Sequence, residues 1–144
     1  MRVIIRKSDY DRLCLHALQQ LPDEACGLVA GRDGEDARII EKVYLLTNID
    51  HSSEHFSIDP REQLSAVREM RKEGLAPLGN WHSHPETPSR PSREDIRLAN
   101  DSGATYLILS LEKKDEPVLN AFHIEGEDAE NRIVRKEELI ITEG

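Results

Sequence analysis

Between Ala76 and Asp95 the chain passes from an apolar run into Trp-His-Ser-His-Pro and then, with seven residues between the second histidine and the serine, into Ser-Arg-Glu-Asp. The span Ala76 to His84 reads as a buried strand. Positions i and i+2 of a strand share a face, so His82 and His84 project together. Pro85 ends the strand, because it fixes φ and cannot donate to a ladder. Ser92 stands where a helix N-cap belongs, with Asp95 in the first turn of that helix. The segment therefore requires a strand end and a helix start to meet at one point. Two imidazoles and one carboxylate are a common zinc set, and three protein ligands leave a fourth position for water, as in a catalytic site. Each fragment also has an ordinary reading: His-x-His as surface or core histidine, Ser-x-x-Asp as a simple cap. The capping and ligand readings are compatible, since a cap that fixes Ser92 also aims Asp95.

The elements around this segment set the fold class. Val3 to Ile5 reads as a short edge strand. Ser8 then caps a helix with an apolar stripe of Tyr10, Leu13, Cys14, Ala17, Leu18 and Leu21, which leaves His16 exposed. Pro22 ends that helix, and Glu24 lies on the connection into a strand from Cys26 to Ala30. Gly31 to Gly34 is a turn, followed by a long strand from Ala37 to Leu46. Asp59-Pro60-Arg61-Glu62 is a helix start with N-cap, proline and a glutamate at the third position. Leu64, Val67 and Met70 form the stripe of that helix, and Gly74 its C-terminal cap. The helix after Ser92 carries Ile96 and Ala99 inward and ends near Gly103. Tyr106 to Leu111 reads as a strand covered on both faces, with Val118 to Ile124 as its hairpin partner and His123 as a structural residue on it. Ile133–Val134 and Leu139–Ile141 are short closing strands. Strands and helices that alternate in the middle, with hairpins at both ends, predict one α/β domain over residues 1–144, a mixed β-sheet with packed helices.

A competing metal motif lies in the loop from Thr47 to Ser53 and just beyond. His51-Ser52-Ser53-Glu54-His55 matches His-x-x-Glu-His, which needs a helix to bring its histidines to one face. The flanking Asn48, Asp50, Ser52 and Ser53 favour turns, and Phe56 and Ile58 alternate as in a strand. His51 and His55 are therefore expected as loop residues beside the site. Cys14 and Cys26 form no Cys-x-x-Cys pair and point to a reducing cytoplasm, with Cys26 as a core residue despite its closeness to Glu24.

The string His-x-His, seven residues, Ser-x-x-Asp resembles the signature of the JAMM (MPN-domain, Mov34/MPN/PAD-1) metalloproteases. Pro22-Asp23-Glu24-Ala25-Cys26-Gly27-Leu28 resembles the segment that carries the family's upstream glutamate, at Glu24 here. Asn48 and Phe56-Ser57-Ile58-Asp59-Pro60 are similar to its linker into the central helix. The resemblance implies the JAMM fold, similar to the cytidine deaminase arrangement. It also implies a zinc ion (Zn²⁺) held by His82, His84 and Asp95. Metal-bound water would be the nucleophile, Glu24 the general acid and base, and Ser92 the donor to the oxyanion. Asn80 and Ser83 flank the ligands and are candidates to support them.

Family members cleave after the Gly-Gly tail of ubiquitin or ubiquitin-like proteins. Those that select ubiquitin chains carry insertions for which this chain has little room, so it looks like the compact stand-alone prokaryotic type. The expected partner is then a ubiquitin-like sulfur-carrier protein. Its glycine tail would lie along an exposed strand edge leading to the metal. Two other classes compete: a non-catalytic MPN scaffold, and a DNA-repair-associated protein of similar fold. All five chemical positions are filled, which argues against the scaffold. A formal net charge of −9 argues against nucleic acid and anionic membranes, which demand clustered Lys and Arg. No apolar run approaches the roughly 20 residues of a membrane span, and the amino terminus is charged too soon for a signal peptide.

Overall fold

The computed structural model describes residues 1–143. Seven strands and three helices follow in the order β1 (Arg2–Arg6), α1 (Lys7–Gln20), β2 (Cys26–Asp33), β3 (Ala37–Leu46), α2 (Pro60–Lys72), β4 (Ala76–His84), α3 (Arg93–Leu98), β5 (Thr105–Ser110), β6 (Val118–Glu125) and β7 (Ile133–Thr142). The strands form one mixed sheet closed into a barrel in the order β1-β3-β2-β4-β5-β6-β7. The pairs β1–β3, β1–β7 and β4–β5 are parallel and the others antiparallel.

Closure corrects two expectations. β1 is not an edge strand, because it has β3 on one side and β7 on the other. β2 and β4, the strands that meet at the site, are paired on both sides, so no strand edge beside His82 is open to an added strand. The two closing strands expected near the carboxyl end are one strand, β7. Its first half pairs with β6 and its second with β1, and that change of partner carries it through a polar middle.

The main core joins Val3, Ile5, Val29, Val43, Trp81, Leu107 and Leu109 from the sheet to Leu13 and Ala17 of α1. Gly27 is required there: a Cβ would lie 1.7 Å from the Tyr44 carbonyl oxygen and 2.4 Å from the Trp81 indole nitrogen, in the space of the Trp81–Tyr44 hydrogen bond at 3.0 Å. Ala66 and Met70 of α2 pack with Ala30 and Tyr44, and Ala99 packs on Ile108, Phe122 and Ile124. β5 is buried on both faces, as its continuous apolar run requires.

The helices depart from the pattern in informative ways. Arg6, not Ser8, is the N-cap of α1, and no side chain caps it. Asp9, within the first turn, is buried and pairs with Arg6 at 3.3 Å. Leu18 faces out, whereas His16 is half-buried, its ring edge-on to Trp81 at 6.1 Å. α2 is turned so that Ala66 and Met70 face in and Leu64 is 51% exposed. Asp59 caps α2 as expected, but Glu62 reaches across to the N–H and hydroxyl of Thr47 instead of closing a capping box. Gly74, at φ 71, completes a C-terminal cap in which Leu75 N–H donates to Met70 O and Gly74 N–H to Arg71 O; only glycine adopts that φ without strain. Gly31 to Asp33 extend β2 past a bulge, so the turn begins at Gly34. Phe56 to Ile58 form no strand, only a bridge between Asn48 and Ile58. α3 ends at Leu98, well before Gly103.

Candidate metal centre and buried carboxylate

His82 and His84 lie on the last residues of β4, on one face, buried to 3% and 5% exposure. Trp81 and Ser83 take the opposite face and are fully buried. The chain then runs to Ser92, the N-cap of α3. A complete capping box forms: Ser92 Oγ accepts the Asp95 N–H at 3.0 Å, and Asp95 Oδ2 accepts the Ser92 N–H at 2.8 Å. The cap aims the carboxylate at the strand end.

Three atoms converge. His82 Nε2 and His84 Nε2 are 3.1 Å apart, and Asp95 Oδ2 lies 3.2 and 3.1 Å from them. Bonds of about 2.0–2.1 Å to a tetrahedral zinc place neighbouring ligands about 3.3 Å apart, so the triangle already has nearly the edge of one tetrahedral face. His84 Nδ1 donates to the Pro88 carbonyl at 2.9 Å. A carbonyl can only accept, so this bond puts a proton on Nδ1, and in the neutral ring the Nε2 lone pair then faces the centre. Phe56 stacks on His82 at 4.7 Å. Among the described residues this trio is the group of His, Cys, Asp and Glu side chains spaced to hold a metal ion, and its donors suit zinc.

Charge at the centre follows from these contacts. Burial would raise the Asp95 carboxyl, but hydrogen bonds from His82 and His84 outweigh it and hold it well below the ordinary carboxylate value. Burial likewise opposes a charged His84, yet the protonated ring donates from Nε2 to Asp95 as well as from Nδ1 to Pro88, and these bonds carry its pKa upward.

Glu24 lies two residues before the start of β2. Cys26 pairs with His82 across the β2–β4 ladder, and continuing that register sets Glu24 opposite His84. Three bonds fix its backbone. Ala25 N–H donates to Ser83 Oγ at 2.8 Å, Glu24 N–H donates to Ser52 O, and Asn48 Nδ2 donates to Glu24 O at 3.0 Å. The side chain is 4% exposed, and its Oε1 has no hydrogen-bond partner. Burial, opposed by the charge of His84 and reinforced by Asp95, Glu94 and Glu54, pushes its pKa up to about 8. A carboxyl with a free oxygen beside a ligand trio can exchange a proton near neutral pH.

The other candidates lie beside this centre or elsewhere and contribute no atom to the trio. His51 and His55 lie in the loop, not on a helix; His55 is tied to Asp50 at 3.1 Å, and Ser57 Oγ also donates to Asp50. Cys26 is buried, and burial pushes its thiol up to about 12, which suits a core residue. His123 bonds the Ser102 carbonyl. Ser83 acts through the Glu24 segment, whereas Asn80 bonds no ligand side chain and lines a cavity beside His82. Sequence reasoning missed the Pro88 carbonyl and the Phe56 stack. The first is a backbone atom in a loop, and the second occupies a position that alternation assigned to a strand.

The chain is similar to known proteins along most of its length. Residues 6–125 match the family of prokaryotic homologs of the JAB domain. The chain is 33% identical over 122 residues to a CysO-cysteine peptidase of Mycobacterium tuberculosis, covering 85% of this chain and 82% of the relative. It is 39% identical over 85 residues to a probable TtuB-protein conjugate cleaving protease of Thermus thermophilus, covering 58% and 54%. The solution structure of protein DSY2949 from Desulfitobacterium hafniense superposes with a TM-score of 0.88 at 49% identity, over 100% of this chain and 94% of that one.

Proposed function

The chain belongs to the family of prokaryotic JAB-domain homologs and is a hydrolytic enzyme of isopeptidase type, and on that premise we propose that it is a zinc metallopeptidase. Its substrate is a ubiquitin-like sulfur-carrier protein, cleaved at the bond that follows the carrier's carboxyl-terminal Gly-Gly. One observation carries this reading: a buried carboxyl with an unpartnered oxygen stands beside a ligand-spaced trio.

His82, His84 and Asp95 would hold the metal, which supplies Lewis acidity and lowers the pKa of a bound water from about 15.7 toward roughly 7. The remaining work falls to the protein. Glu24 Oε1 takes a proton from the attacking water and returns it to the departing amine, which cannot leave unprotonated. Burial keeps that proton from bulk water. Ser92 Oγ spends one lone pair on the Asp95 N–H, so its own O–H stays free to donate to the oxyanion of the tetrahedral intermediate. Pro88 fixes the His84 tautomer, and Phe56 covers His82. Neither Cys14 nor Cys26 is in a disulfide, in keeping with a reducing cytoplasm. No helix of the described residues is long and apolar enough to cross a membrane.

The test uses a sulfur-carrier protein extended by one or more residues beyond Gly-Gly. Mass spectrometry should show release of the extension and a carrier ending in Gly-Gly, with a chelator abolishing cleavage and added zinc restoring it. An intact fusion, or cleavage indifferent to chelation, would refute the assignment.

A further inference from the structure

The ligand trio rests on two unequal supports. His82 and His84 stand on β4, which is paired on both sides. Asp95 stands on α3, none of whose six residues is buried. A helix so short has no stability of its own in water. The capping box ties Asp95 to Ser92, but both belong to one segment that moves as a piece, so the cap cannot fix the carboxylate relative to β4. Ile96 and Ala99 rest on Ile108, Phe122 and Ile124, yet apolar contact is non-directional and leaves the helix free to turn.

Arg132 supplies the direction. It ends the loop between β6 and β7, residues 126–132, whose shape is set by Asp128. Asp128 Oδ1 accepts the Glu130 N–H at 3.1 Å, and Oδ2 accepts from Asn131 Nδ2 at 2.7 Å. Gly126 opens the loop at φ 128, and Arg132 Nε donates back to its carbonyl at 3.0 Å. From there the guanidinium crosses to α3. Nη1 donates to the carbonyls of Ile96 and Arg97, both at 2.9 Å, and Nη2 donates to Asn100 Oδ1 at 2.9 Å. All four bonds end on neutral oxygens. The last four carbonyls of a helix have no partner within it, and a planar cation with a rigid fork of donors suits them.

The two carbonyls belong to the residues that directly follow Asp95. Successive residues stand about 100° apart around a helix axis, so holding both fixes the rotation of α3 as well as its position. That rotation decides where the Asp95 side chain points. Resting on the metal-site reading above, we propose that Arg132 is a positioning residue for the metal: it clamps the far end of α3 to the β6–β7 loop and so holds Asp95 Oδ2 against the two imidazoles.

The test compares wild type with Arg132→Gln, which loses the charge and the fork. Zinc affinity, read by competition with a chromophoric chelator, should fall about 10–100-fold, as when a group supporting a ligand is removed. In the metal-free protein, amide hydrogen exchange across residues 92–99 should speed up about tenfold while exchange in β4 stays unchanged. Arg135→Gln, three residues further along with its own contact to Glu125 at 3.8 Å, should alter neither quantity. Should Arg132→Gln fail to fold, as checked by thermal melting, Asn100→Ala removes one of the four bonds and carries the same two measurements, with about threefold changes. Unchanged zinc affinity in a folded variant, even with a lowered melting temperature, would reduce Arg132 to a structural anchor and overturn the proposal. Unchanged exchange in α3 would overturn it as well. If wild type binds no zinc, the metal-site reading fails, and exchange in the metal-free proteins still decides whether Arg132 holds α3.

Discussion

The backbone N–H of Ser92 donates to the same Asp95 oxygen, Oδ2, that faces both imidazoles. Helix capping and ligand placement thus share one atom, and Ser92 has two separable duties. Ser92→Ala should cost about 1 kcal/mol of stability as a lost cap and on the order of 10²–10³ in turnover as a lost oxyanion donor, with zinc content unchanged. Ser92→Asp restores a capping oxygen but has no hydroxyl proton. It should regain the melting temperature without regaining the rate; recovery of both would leave the cap as the whole role of Ser92.

Glu24→Gln should keep the fold and the metal and lower turnover by about 10²–10⁴, since the amide cannot accept a proton. Near-normal turnover would remove Glu24 from the mechanism.

The same substitution has a pH signature in the metal-free protein. The Glu24 carboxyl rises from 4.5 to about 8 on folding, so between those values the folded state holds a proton that the unfolded state has released. Stability then falls as pH rises through that window, by about 1.4 kcal/mol per unit at most, and levels off above it. Gln cannot titrate, so Glu24→Gln should be progressively more stable than wild type from pH 5 to 8. Parallel melting curves across that range would show that Glu24 does not carry the shifted proton. Zinc, a cation beside the carboxylate, should narrow the difference.

Metal analysis separates the two histidine pairs. His82→Ala or His84→Ala should lose the zinc, whereas His51→Ala and His55→Ala should retain it. The reverse result would hand the metal to the loop motif.

Replacing the carrier's final glycine by valine should abolish cleavage, read by mass spectrometry. With both sides of β2 and β4 already paired, the tail has no strand edge beside the ligands to join. It must pass across the strand end, between His84 and the Ser92 cap, where a branched side chain collides. Equal cleavage of the two carriers would refute that passage.

The convergence of His82, His84 and Asp95 was legible because it depends on short-range rules: strand alternation, proline as a stop, and a serine cap. Each acts within a few residues, and the meeting of strand end and helix start follows from a loop of seven residues. The β3 bounds, Ala37 to Leu46, were legible for the same reason, as was the Asp59 cap. Barrel closure was not legible. Nothing local in Arg2–Arg6 states that its neighbour is a strand some 136 positions away, and a half-buried edge strand has the same alternation. Helix rotation also escaped on α2, where Leu64 fits an apolar stripe but the sheet has room for Ala66; on α1 the stripe held at Leu13 and Ala17, and only Leu18 turned to water. His16 was misplaced with them, drawn in by the edge of Trp81. The Glu24 environment needed Asn48, Ser52 and Ser83 from three other segments, and only the family resemblance singled that residue out.

The parallel pairing of β1 with β7 has a consequence for the order of folding. Its contacts join the two ends of the chain, the costliest loop the molecule can close and the last worth closing. Glu24 to Ser110, which includes every residue assigned to the chemistry, can gather its β2–β4 and β4–β5 ladders beforehand, since neither uses β1. During synthesis the ligand trio can therefore take shape while the carboxyl-terminal strand is still unmade. β7 then arrives as a clasp on a half-built ring, and until it does β1 offers one bare side to any passing strand.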